Sequence, residues 1–187
     1  MASVAARHYG ALAAGVRAGL GLADAAHGLV GTKGMKVALD GLRATSRGVL
    51  PKWSPALARP IHFVPRTAPC ERAEALVYFP SCAARNMGPQ RGHDGVDALP
   101  RVAERLFERA GFGVVYPSAM AGLCCGQPFE SKGLTEAANL KSAELEAALR
   151  GASEGGRWPI VFDTSPCAYR MKRMLAARLQ VHDSIEF

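Results

Sequence analysis

The chain has 187 residues, 49% hydrophobic and 21% charged, with a net charge of +7. That is enough apolar surface for one medium-sized core plus an extension, while 7% aromatics without basic–aromatic interleaving weigh against nucleic acid as a partner. Five cysteines, an odd number in a chain of this length, argue against a disulfide scaffold and for a reducing compartment in which thiols serve metal or redox chemistry.

The chain starts with an Ala/Gly/Leu-rich segment, residues 1–50, that reads as two or three short helices broken at Gly-rich turns such as "GTKG". It is basic: residues 1–60 hold eight Lys/Arg against Asp24 and Asp40. This reads as a solvated helical face, with an acidic partner or an anionic membrane surface as the alternative. Arg7, Arg17 and Asp24 keep every apolar run far below the ~20 residues of a membrane span. The expected location is cytoplasmic, with peripheral contact at the inner face of the membrane as the alternative. Residues 51–70 contain five of the twelve prolines and read as an extended linker.

From about residue 71 two element types alternate. "ALVYF" (75–79), "FGVVY" (112–116), "PIVFD" (159–163) and "LQVHD" (179–183) read as buried strands. Between them lie three helices. The first is capped by Asp97 and carries an apolar stripe at Leu99, Val102, Ala103, Leu106, Phe107 and Ala110. The second covers 135–149, and the third, "SPCAYRMKRMLAARL", starts from Ser165 as cap with Pro166 in its first turn. The order predicts an α/β domain over 71–187, a parallel sheet of about four strands with flanking helices, preceded by the helical segment and the Pro-rich linker.

Four cysteines follow strands. Cys82 comes after the first, Cys124 and Cys125 after the second, and Cys167 after the third; both intervals, 82 to 124 and 125 to 167, are 42 positions. Loops that follow parallel strands emerge at the carboxyl edge of the sheet, so the four thiols are expected to meet there. A four-thiolate shell suits a [4Fe–4S] cluster and a structural zinc ion alike. The adjacent pair lets one loop supply two ligands. Gly126 lets the backbone pass close to a bound group, and Ser165 opens the helix whose first turn holds Cys167. Cys70, alone in the linker, reads as a small apolar side chain. His93 and His182 read as surface or satisfied histidines, and Asp163 either bonds loop amides or caps.

"YFPSCAARNMG", "GLCCGQPFESKG" and "FDTSPCAYRM" resemble the cysteine-rich CCG domain of FAD-linked D-lactate dehydrogenases, with relatives in glycolate oxidase, glycerol-3-phosphate dehydrogenase and heterodisulfide reductase subunits. The resemblance covers roughly residues 75–187. It implies an iron–sulfur electron-transfer module of a flavin-dependent D-2-hydroxy-acid dehydrogenase, and it favours iron over zinc at Cys82, Cys124, Cys125 and Cys167. Thr164 stands where the broader family often has a further cysteine, against a five-cysteine noncubane cluster. The family's FAD domain, its ferredoxin-like region and its second cysteine-rich repeat do not occur in this sequence. The chain is therefore expected to be a piece of a larger enzyme, or a subunit of a split one. Its partners would be an FAD-containing dehydrogenase domain and a ferredoxin-like iron–sulfur domain, and the chain alone has no flavin site. The alternatives are a structural zinc domain serving assembly and a thiol–disulfide redox module.

Overall fold

The computed structural model describes residues 2–49, 52–66, 74–175 and 179–187. Helices α1 (Ala2–Arg7) and α2 (Tyr9–Thr45) form the N-terminal segment. The helical run of α2 kinks at Gly31 (φ 69°, ψ 177°), the first residue of "GTKG", where a residue without a Cβ takes the positive φ at little cost. It ends at Thr45 rather than near Leu50; Leu50 and Pro51 lie outside the described residues.

The linker is not wholly extended coil. Its β1 (Ala58–Pro60) pairs antiparallel with β3 (Met87–Gln90), a small ribbon that had no signal in the sequence. Phe63, just beyond β1, is buried in the main core against Tyr116, with ring centroids 5.7 Å apart.

The rest is an α/β unit whose four-stranded sheet is wholly parallel. Its strands are β2 (Ala75–Phe79), β4 (Gly113–Val115), β5 (Ile160–Phe162) and β6 (Val181–Asp183), in the order β4-β2-β5-β6. All five residues of β2 are buried, as a strand covered on both faces demands. Helix α4 (Leu99–Arg109) packs one face, where Phe107 meets Leu76, Tyr78 and Val161. Helices α6 (Thr135–Ala152) and α7 (Ser165–Met174) cover the other, where Leu145, Leu149 and Met171 join Val77, Phe79, Ile160 and Phe162. Right-handed crossovers require this split, because the first connection steps to one side of β2 and the next two step to the other.

Three local expectations are corrected. The residue before α4 is Ala98, without a side-chain cap, and Asp97 instead pairs with Arg105 at 2.7 Å. Only part of the expected α4 stripe faces inward: Phe107 is buried, whereas Leu99, Val102 and Leu106 are exposed. The N-cap of α7 is Thr164 rather than Ser165, and it makes no side-chain cap bond. Residues 176–178 of the expected third helix lie outside the described residues; the described helix ends at Met174.

Candidate functional site

The chain leaves β2, steps outward to β4, and returns past β2 to β5. The sheet order therefore reverses between β2 and β5, and open α/β sheets hold their ligands at the carboxyl end of such a reversal. The cysteines sit there. Cys82 opens a five-residue helix, α3 (Cys82–Asn86), capped by Ser81, whose hydroxyl accepts from Ala84 N at 3.2 Å. Cys167 lies in the first turn of α7, after β5. Cys124 and Cys125 lie between a 3-10 turn (Met120–Gly122) and the short helix α5 (Gln127–Glu130), on the loop that crosses the reversal.

The four thiols are linked pairwise. Cys82 interacts with Cys124 and Cys124 with Cys125, and Cys125 Sγ lies 3.0 Å from Cys167 Sγ. All four are free, and Cys124, Cys125 and Cys167 are buried. Among the described residues, no three or more His, Cys, Asp or Glu side chains gather into a group placed to hold a metal ion. The structure brings the four cysteines into successive pairwise contact at this edge.

Mutual hydrogen bonding and burial hold Cys82, Cys124 and Cys125 protonated. For Cys82 the bond with Cys124 comes first and burial second; for Cys124 the bond with Cys125 leads. At Cys125 the bond with Cys124 favours the thiolate, but the bond with Cys167 and burial outweigh it and push the thiol up to about 12. Metal-free, these three are poor nucleophiles at neutral pH.

Three buried cations strap the cysteine loop. Arg85, Lys141 and Arg170 are 6%, 2% and 2% exposed. Arg85 donates to Met120 O and, at 2.6 Å, to Leu123 O. Lys141 donates to Gly122 O at 2.7 Å, and Arg170 Nε to Cys125 O at 2.9 Å. Ser142 Oγ adds a second donor to Cys125 O at 2.8 Å. Each loop carbonyl so engaged has a charged partner, and Arg85 also interacts with the Cys82 and Cys124 thiols. Lys141 is ion-paired with Glu144 and Arg170 with Glu130, whereas Arg85 meets backbone carbonyls.

The sequence reading missed all three cations, and it missed Tyr9. This residue, at the start of α2, is buried near Cys82 and Cys124; burial first, then those thiols, push its phenol pKa up. Its ring meets Phe129 of α5 (centroids 6.3 Å apart) and lies 5.5 Å from the Lys141 ammonium. The N-terminal helix is thus part of the site's wall.

The remaining candidates fall as follows. Gly126 has φ 89°, and a Cβ there would stand 2.3 Å from Ala138 O, so its bareness serves the approach of the loop to α6. Its N–H donates to Cys124 Sγ at 3.4 Å. The Ser165 hydroxyl interacts with Asp183 on β6. Asp163 accepts from Ser81 N at 2.8 Å and from Tyr78 Oη at 3.1 Å, bonding the amide beside Cys82. His93 pairs with Gln90 on the surface and His182 packs against Phe187. Cys70 lies outside the described residues.

In donor chemistry the residues suit a thiolate-bound group: four sulfurs at one edge, the Arg85 cation beside two of them, and a glycine N–H directed at sulfur. Among the described residues no helix is long and apolar enough to cross a membrane. No family model, curated protein or solved structure matches the chain.

Proposed function

We propose that the chain is the iron–sulfur electron-transfer module of a flavin-dependent D-2-hydroxy-acid dehydrogenase, acting on D-lactate or glycolate, and that Cys82, Cys124, Cys125 and Cys167 hold a [4Fe–4S] cluster. The observation that carries the metal part is the set of four free thiols in pairwise contact at the sheet reversal, with the loop of Cys124 and Cys125 held by three buried cations. Cluster binding replaces four thiol protons with an anionic thiolate shell, and Arg85, Lys141 and Arg170 offset that negative charge. When bound, such a cluster relays single electrons. The chain's own residues position the loop, exclude water and donate to sulfur, as Gly126 N–H does to Cys124.

The substrate class rests on the likeness of "YFPSCAARNMG", "GLCCGQPFESKG" and "FDTSPCAYRM" to the CCG domain. In this reading the flavin and a ferredoxin-like iron–sulfur domain belong to partners, and the chain alone turns over no hydroxy acid. It works on the cytoplasmic side, with the basic N-terminal segment available for peripheral membrane contact. Anaerobic purification followed by iron, zinc and sulfide analysis and electron paramagnetic resonance tests the metal assignment. About four irons and four sulfides per chain are expected; one zinc without sulfide makes the domain a structural zinc module.

One observation favours a second reading. Cys125 Sγ and Cys167 Sγ are in contact, which suits a reversible dithiol–disulfide pair. The raised pKa values of Cys124 and Cys125 weigh against it, because exchange needs a thiolate. Rapid alkylation of either at neutral pH would move this reading to first place.

A further inference from the structure

A cavity of about 540 Å³ opens between the N-terminal helix, the linker and the loop after β4. It is of the size that takes small organic ligands. Phe63, Val115 and Met120 give it apolar walls, and three arginines, Arg17, Arg66 and Arg85, are among its lining residues. Among the described residues, no Asp or Glu lines it.

The three cations differ in their partners. Arg66 faces carboxylates, Glu104 at 3.9 Å and Glu108 at 3.6 Å. Arg17 donates to Asn86 Oδ1, and Arg85 to the carbonyls of Met120 and Leu123. Arg85 is 6% exposed, and its Nε has no hydrogen-bond partner. The hydrogen bonds of Arg85 go only to neutral carbonyls, so an anion near it removes part of the cost of its burial. Guanidinium groups bind carboxylates in a planar, directional way. The apolar walls exclude a bare inorganic ion as the best fit, since a hydrated anion would leave them wet.

We infer that this cavity binds a small organic carboxylate with an apolar body, its carboxylate held by Arg17 and Arg85 and its body against Phe63, Val115 and Met120. The inference needs neither a cluster nor a flavin, so it stands or falls apart from the proposed function.

Calorimetric titration of the full chain with naphthalene-2-carboxylate and with its neutral amide tests it. The acid is expected to bind about tenfold or more tightly than the amide. Arg17→Met should weaken the acid by about that factor and leave the amide unchanged. Arg85→Met also disturbs the cysteine loop, so the companion variant is Ala121→Trp, which fills the cavity mouth without removing a cation and should weaken both ligands. Equal affinity for acid and amide, no binding of either, or unchanged acid affinity in Arg17→Met would overturn the inference.

Discussion

Arg170, on the helix that carries Cys167, donates from Nε to the backbone carbonyl of Cys125 at 2.9 Å. One side chain thus ties two of the cysteine-bearing segments together from inside the protein. It also reaches Ser142 Oγ at 3.1 Å and Asn139 Oδ1 at 3.0 Å, and it is ion-paired with Glu130. Arg170→Met keeps much of the apolar stem but leaves the Cys125 carbonyl with one donor fewer and Glu130 without its cation. A loss of about 2–4 kcal/mol is expected from urea denaturation. A loss within experimental error would mean that the strap is not structural.

Gly126 is the second test of the loop. Gly126→Ala places a Cβ against Ala138 O in a backbone conformation that disfavours it, so about 1–3 kcal/mol of strain is expected, plus displacement of the loop from α6. Gly122→Ala is the matched control, because a Cβ there meets nothing within 4 Å. Thermal denaturation should show a clear drop for the first variant and little change for the second. Equal behaviour of the two would remove the packing role assigned to Gly126.

Tyr9 concerns chemistry rather than stability. A hydroxyl that donates to a ligating sulfur stabilises the electron-rich state of a cluster and raises its potential. If the proposed function holds, Tyr9→Phe lowers the reduction potential of the reconstituted chain by tens of millivolts while iron content is retained. A redox titration with an unchanged midpoint would assign Tyr9 to packing against Phe129 and Lys141 alone.

The sequence made some of this architecture legible, for identifiable reasons. "ALVYF" coincides with β2 residue for residue because a strand buried on both faces is a continuous apolar run with abrupt ends. Cysteines placed after strands mapped to one edge because parallel topology leaves no other place for those loops. Their order along that edge depends on loop paths, which spacing does not encode. Leu99, Val102 and Leu106 have helical spacing yet face solvent, since a stripe says which face of a helix is apolar and not what will cover it. Arg85, Lys141 and Arg170 had no sequence signal at all: a buried cation looks like a surface one until its acceptors, here loop carbonyls far along the chain, are brought to it. Helix α3 is too short for any period to appear.

The central claim is that four thiols act as one ligand set, and the most direct measurement is iron retention across single Cys→Ser variants after anaerobic reconstitution. Cys82→Ser, Cys124→Ser, Cys125→Ser and Cys167→Ser should each lose most of the iron bound by the parent chain, and Cys70→Ser should keep it. Full iron in both the Cys124→Ser and Cys125→Ser variants would contradict the claim, and so would a parent chain that takes up no iron.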